Sequence, residues 1–475
     1  MTNNTKSIKF GTDGWRAIIA DGFTFNNVRI ASHAIGKYVL NNCNRDLPIL
    51  IGFDPRFLAD KFARSCANEL ISLGLNVEVV SNVVPTPVIA FWAAKSPKKT
   101  NGAIQFTASH NPPEYCGLKY ITSYGGPAPV EITNEITKYI RAENLDMKGE
   151  ENNTSIPTFA PKEGYVTHLK KLIDFSKIKN ANLKIVYDPM FGAGNNYLDY
   201  ILKEAGCETV TIHNKKDPLF GGLLPEPKEE FLNELKKCVT ENKANMGLAT
   251  DGDADRISAV DRDGMFYSPN KIASMLLRHL VKNKKLKGKV VRTLSTTHLM
   301  DHLAKKYNLE LIETQVGFKW ICEKMLKESV LIGAEESGGI SIINHIPDKD
   351  AILAGMLLTE MLAFENKTLG EIYKDTLNDA NWNCINDKFD LHMDEKQKEI
   401  LISRLQSANI QKFGDLQIES INKIEGAKYL LKDGSWFLAR ASGTEPMARV
   451  YFEATSEKSL KLMKSEIQRI VESIL

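Results

Sequence analysis

Residues 251–256 read DGDADR, which sets Asp251, Asp253 and Asp255 at alternate positions. In an extended chain residues two apart face the same side, so the three carboxylates converge, whereas a helix would scatter them. Carboxylates packed together repel unless a cation neutralises them, and an all-oxygen set suits Mg2+ or Ca2+ rather than a soft metal. A calcium loop of the EF-hand type needs Gly at its sixth position and Glu at its twelfth. Counting from Asp251, those places hold Arg256 and Arg262, so that reading fails. Strand-like MGLAT and ISAV on either side mark a held site rather than a loose acidic turn.

The stretch TASHNP at 107–112 sets Ser109 beside His110 in a loop that Pro112 stiffens. Neighbours in sequence tend to point their side chains apart, so His110 is not the obvious activator of a Ser109 nucleophile. A serine hydrolase would place its nucleophile in a GxSxG elbow, which is missing near Ser109, and would have no use for a metal triad. A Mg2+ phosphatase would use the aspartates and leave Ser109 idle. Phosphoryl transfer gives both a task, with the metal neutralising charge on a phosphate carried by Ser109.

Other loops supply the remaining chemistry. RASGTEP at 440–446 offers Arg440, the hydroxyls of Ser442 and Thr444, and Gly443, a set suited to docking phosphate. FGTDGWR at 10–16 is a Gly-rich loop ending in Arg16. EESGG at 335–339 brings Glu335 and Ser337, able to hydrogen-bond a polyol, and VGFKWI at 316–321 places Lys319 between aromatics.

The elements that position these loops repeat. Three segments each open with an apolar run (PILIGFD, LKIVYDP, KVVRTLS), continue through a helix-like stretch to a second (NVEVVS, ETVTIHN, LELIETQVG), and end in a third (NGAIQF, NMGLAT, SVLIGA). Strands alternating with helices at this spacing predict three related α/β units with mixed sheets. TASHNP, DGDADR and EESGG follow the third run of each, where α/β sheets bind ligands. The last ~90 residues read as a smaller α+β domain. The expected boundaries are 1–150, 151–264, 265–380 and 381–475, with a hinge between the last two near 376–388.

Composition sets limits. With 475 residues, 43% hydrophobic and 25% charged, the chain is globular and multidomain. Its 61 basic and 59 acidic residues leave a net charge of +2, which gives no electrostatic case for nucleic acid or a membrane surface. The longest apolar window, AILAGMLLTEMLAF at 351–364, is too short for a membrane span and predicts a buried helix. Seven scattered cysteines without a CxxC pair, and a polar start with no signal peptide, lead us to expect a cytoplasmic protein.

TASHNPPEYCGLKY, DGDADR, GAEESGG and RASGTEP, in that order and spacing, resemble the α-D-phosphohexomutase family of phosphoglucomutases, phosphomannomutases and phosphoglucosamine mutases. The likeness runs from Phe10 to about Ala454. It implies four domains around a central cleft, and an isomerase in which phosphorylated Ser109 donates to a sugar monophosphate. The bisphosphorylated sugar then turns over and returns its other phosphate. The resemblance further implies Mg2+ held by Asp251, Asp253, Asp255 and the phosphate on Ser109, with glucose 1,6-bisphosphate as activator. Arg16 and Arg256 would steady the reacting phosphate. Lys119 matches a lysine that would act as general acid/base, with His110 as the other candidate for that role. Glu335 and Ser337 would recognise the sugar, and Arg440, Ser442, Gly443 and Thr444 would clamp the non-reacting phosphate.

This sequence departs from the family pattern at Cys116, at Ala441, and at Gly338 and Gly339, where several relatives carry SGH. VGFKWI and GTDGWR look closer to glucose-handling members than to the VGDRY and GTDGIR of phosphoglucosamine mutases. Glucose phosphates are therefore the expected substrates, with mannose phosphates tolerated and an amino sugar as the alternative. A non-catalytic sugar-phosphate-binding protein would have lost Ser109 or an aspartate, and all four are present.

Overall fold

The computed structural model describes residues 8–11, 14–142, 155–407, 412–442 and 447–473. Three mixed sheets share one plan. In the first, Ile49–Phe53 pairs in parallel with Val77–Val80 on one side and Ala103–Phe106 on the other, and Tyr115–Ile121 returns antiparallel to Ala103–Phe106. In the second, Lys184–Asp188 lies between parallel Glu208–Thr211 and Met246–Thr250, with Ile257–Asp261 returning antiparallel. In the third, Lys289–Thr293 lies between parallel Leu311–Thr314 and Val330–Ala334, with Ile340–Ile342 antiparallel. TASHNP, DGDADR and EESGG each fill the turn from the last parallel strand into the antiparallel one. The three loops are therefore topological equivalents, at the carboxyl ends of parallel strands.

The fourth sheet is wholly antiparallel, in the order Ile385–His392, Met447–Ala454, Trp436–Ala441, Ala427–Leu431, Leu416–Asn422, Lys412–Phe413. Helices Glu395–Ser407 and Glu457–Glu472 cover it. RASGTEP enters from its strand Trp436–Ala441, and Gly443 and Thr444 lie outside the described residues.

Two strands cross the boundaries expected from sequence. Thr158–Phe159 adds an edge to the first sheet by pairing with Val79 and Val80, and Phe266–Tyr267 adds one to the second by pairing with Ala259 and Val260. Polar flanks hide such two-residue edges from a reading based on apolar runs.

One hydrophobic core runs through the first three sheets, from Phe91 through Leu198 to Leu357, while the fourth domain has its own around Leu401 and Phe437. The apolar window at 351–364 is the buried helix Ala351–Glu365, capped by Asp350, whose carboxylate accepts the Leu353 N–H. Its one buried carboxylate, Glu360, is compensated by His279 at 2.9 Å and Lys284 at 2.7 Å. Among the described residues no helix is long and apolar enough to cross a membrane. Helix Leu369–Ala380 ends at Asn381, which is left-handed at φ 47°, four residues before the fourth domain's first strand.

Candidate active site

Ser109 sits 1% exposed at the head of its loop with φ at +52°. That left-handed backbone is sparsely populated by residues other than glycine, asparagine and aspartate. Arg56 holds it there. The buried guanidinium donates to four loop carbonyls: Ser109 at 2.7 Å, Asn111 at 2.6 Å, Pro112 at 2.8 Å and Tyr115 at 2.9 Å. Asp54, 3.2 Å from Arg56 Nε, compensates its charge. The turn also brings His110 Nδ1 to 3.4 Å from Ser109 Oγ, so the two neighbours face each other instead of diverging as expected.

The three aspartates converge, but not by strand alternation. Residues 251–255 form a turn in which Ala254 adopts φ 58°, and Asp251 Oδ1 accepts the N–H groups of Asp255 and Arg256 at 2.9 and 3.1 Å. One oxygen from each aspartate lies within 4.8 Å of the others. Gly252 lets this turn reach Ser109, because a Cβ there would stand 2.5 Å from the Ser109 carbonyl oxygen. Across that contact Ser109 Oγ donates to Asp251 Oδ2 at 2.8 Å.

The electrostatics fit a bound cation. Burial, with Asp255 and Asp253 alongside, pushes the Asp251 carboxyl well above the usual carboxylate range. At Asp253 burial acts in the same direction, but Lys119 at 3.0 Å and the Thr86 hydroxyl at 2.6 Å hold its carboxyl below that range. Among the described residues, Asp253 Oδ1 and Asp255 Oδ1 are buried with no hydrogen-bond donor. Two orphaned carboxylate oxygens beside a protonation-prone third form a hard, all-oxygen donor set, which suits a divalent cation such as Mg2+. Lys349 Nζ, 3.3 Å from Asp255, and Lys119, 3.7 Å from it, add positive charge at the rim.

The serine loop and the aspartate turn adjoin, through His110 and Arg256, a cleft of about 1000 Å³ lined from all four domains, with Lys319, Glu335 and Arg440 also in its wall. Arg256 Nε is 3.8 Å from Asp255, and Arg16 donates to Asn111 Oδ1 at 2.6 Å beside the serine loop. Glu335 accepts the Gly317 N–H at 3.1 Å and lies 3.4 Å from the Ser337 hydroxyl. Lys319 Nζ lies over the Trp320 ring at 4.9 Å. Ser442 donates its N–H to Met447 O at 2.9 Å, and Arg440 Nη2 donates to Glu425 at 2.6 Å. Arg56, Thr86, Lys349 and Glu425 were not singled out from sequence. Arg56 carries the one local signal, an acidic residue two positions before an arginine at a strand's end.

Residues 7–147, 163–264, 268–380 and 392–470 match, in order, domains I, II and III and the C-terminal domain of the phosphoglucomutase/phosphomannomutase family. A phosphoglucosamine/phosphogalactosamine mutase of Sulfurisphaera tokodaii is 31% identical over 98% of this chain and 99% of its own. The chain belongs to the α-D-phosphohexomutase superfamily. It is thus an isomerase of the intramolecular phosphotransferase type. A phosphoglucomutase/phosphomannomutase of Thermococcus kodakarensis is 29% identical over 95% of this chain and 96% of its own. The solved phosphoglucomutase/phosphomannomutase family protein of Burkholderia thailandensis, 21% identical, shares the phosphohexomutase fold at a TM-score of 0.83 over 100% of this chain and 98% of that one.

Proposed function

We propose that this phosphohexomutase interconverts the 1- and 6-phosphates of a hexose with Ser109 as phosphoryl carrier and Mg2+ at the aspartate triad. The observation that carries the reading is the 2.8 Å hydrogen bond from Ser109 Oγ to Asp251, between two loops whose His110 and Arg256 line a cleft shared by all four domains. Bound there, the dication neutralises the phosphoserine's charge of about −1.5 to −2 and stabilises the charge that builds on the moving phosphoryl group.

The chain's own residues do the rest. The bond from Ser109 Oγ to phosphorus breaks as one forms to the free hydroxyl of the bound sugar monophosphate, and the hydroxyl proton ends on Ser109 Oγ. Lys119 and His110 are the groups in place to carry that proton. Asp251 then accepts the Ser109 hydroxyl, as it does in the resting structure. Arg16 and Arg256 flank the reacting phosphate. Arg440, with Ser442, Gly443 and Thr444, holds the phosphate that does not react, while Glu335, Ser337 and Lys319 meet the sugar hydroxyls. The sugar, now a bisphosphate, turns end for end and returns its other phosphate to Ser109. Glucose 1,6-bisphosphate supplied in trace would serve as activator by phosphorylating Ser109.

Two readings of the hexose each have support. VGFKWI and GTDGWR favour glucose, with mannose tolerated, and the name of the S. tokodaii relative favours an amino sugar. A coupled assay with Mg2+ and trace glucose 1,6-bisphosphate separates them by comparing kcat/KM for glucose, mannose and glucosamine 1-phosphates. We expect the ranking to favour glucose and turnover to vanish in Ser109→Ala. A glucosamine preference would replace the sugar and keep the mechanism, and full activity in Ser109→Ala would overturn the carrier.

A further inference from the structure

Glu425 touches neither the aspartates nor the serine loop, yet its two carboxylate oxygens join two parts of the cleft. Oε1 accepts from Arg440 Nη2 at 2.6 Å, and Oε2 accepts the Val316 N–H, from another domain, at 2.7 Å. The next amide, Gly317, donates to Glu335 at 3.1 Å. One carboxylate thus links the arginine of the phosphate loop to the loop carrying Lys319, and through the adjacent peptide to Glu335. The chain is built for this contact. Gly426 follows at φ 87°, and a Cβ on it would meet Ala439 O at 2.1 Å, so only glycine lets the turn lie against the strand bearing Arg440.

We propose that Glu425 is a positioning residue for phosphate recognition: it fixes the plane of the Arg440 guanidinium and couples that arginine to the sugar-binding loop. The inference rests on the reading of Arg440 as the phosphate clamp. An arginine has five donors in a rigid fork, and Glu425 engages only Nη2. The Arg440 side chain stays 17% exposed where it lines the cleft, which leaves donors not taken by Glu425 for an anion. A side chain as long as arginine loses rotamer entropy when it is fixed, and a ligand escapes much of that cost when a neighbour has already ordered the fork. Tethering Val316 in the same contact means that a phosphate seated on Arg440 and a sugar seated on Glu335 share one support.

The test compares Glu425→Gln, Glu425→Ala and Arg440→Ala, each first checked for an unchanged Tm and dispersion of its spectrum. Steady-state kinetics on glucose 1-phosphate and inhibition by inorganic phosphate are then measured. Arg440→Ala should raise KM and the phosphate inhibition constant at least tenfold. Glu425→Ala should raise both roughly tenfold with kcat changed less than threefold, and Glu425→Gln, which keeps the Arg440 contact without the charge, should lie between it and wild type. In the double variant Glu425→Ala should add nothing beyond Arg440→Ala, because both act through one guanidinium. If Arg440→Ala leaves KM unchanged, the clamp reading fails. If Arg440→Ala raises KM but Glu425→Ala does not, or tightens phosphate binding, the clamp stands and Glu425 is no positioning residue. A fall in kcat alone would likewise overturn the inference.

Discussion

Ser109 Oγ and Asp251 Oδ2 stand 2.8 Å apart although 142 residues separate them in the chain. The hydroxyl donates to a carboxyl that burial and two neighbouring aspartates push toward protonation. A bound dication offsets both the burial and the repulsion behind this shift. Mg2+ should therefore raise the Tm progressively with its concentration, by the equivalent of about 2.7 kcal/mol at a hundred times its Kd, and EDTA should reverse the rise. In Asp253→Asn the shift should shrink and activity should fall at least a thousandfold. An equal Mg2+ shift in wild type and Asp253→Asn, read by differential scanning fluorimetry, would put the ion elsewhere.

Gly252→Ala tests the contact between the two loops. The new Cβ would lie 2.5 Å from the Ser109 carbonyl oxygen, which cannot retreat because Arg56 holds it at 2.7 Å. Overpacking of this kind costs about 1–3 kcal/mol. Moving the serine by a fraction of an ångström should lower kcat about a hundredfold with little change in KM. Wild-type kcat in this variant would mean that the two loops need not touch.

Arg56→Lys keeps the charge and discards the fork. Lysine's three donors cannot serve four carbonyls and Asp54 together, so some of these buried groups lose their partner. We expect a loss of about 3 kcal/mol in urea denaturation, since each buried carbonyl left without a donor costs about 1–3 kcal/mol. The kcat should fall in the folded fraction as Ser109 relaxes from its left-handed backbone. Stability within 1 kcal/mol of wild type would show that the loop holds its shape unaided.

His213 gives a pH signature away from the cleft. It lies 3.0 Å from Asp188 and 3.0 Å from Glu234, and the Asp188 hydrogen bond, despite opposing burial, raises it from 6.5 to about 9. A raised basic group stabilises the fold fully below its unfolded value, and that contribution is lost as pH climbs through the folded one. The advantage of wild type over His213→Gln should thus be largest near pH 6, at about 3 kcal/mol or less, and fade between pH 6.5 and 9. A difference that is flat with pH would mean that folding leaves the His213 pKa where it is in the unfolded chain.

What could be read from sequence was what stays local in the chain. TASHNP, DGDADR and EESGG carry their chemistry within a few residues, and the apolar runs before them fix equivalent places in three sheets. Contacts across the chain were not legible. Thr86 meets Asp253 across 167 positions and Arg440 is aimed by Glu425 across a strand pair, so nothing near either residue announces its partner. The aspartate convergence was anticipated from strand alternation, but the backbone achieves it with a left-handed Ala254 that no residue type signals. Lys349 reads as one more charge in PDKDA until the fold sets it 3.3 Å from Asp255.

The aspartate turn is sewn to its surroundings by main chain: Thr86 N–H to Asp253 O, Ala351 N–H to Ala254 O, Ala193 N–H to Gly252 O and Ile257 N–H to Gly338 O. The fourth domain meets the third largely through side chains, as in Lys388 with Glu336 at 2.7 Å, Lys428 with Glu313 at 2.7 Å, and Glu425 with Val316. Ordinary substitution cannot delete a peptide hydrogen bond, but it readily deletes a carboxylate or an ammonium. The main-chain frame of the aspartate turn is accordingly less open to sequence drift than the third–fourth domain contact, and the face proposed to read the rest of the sugar phosphate can be retuned one residue at a time. Selection for a new hexose should leave its substitutions along that seam.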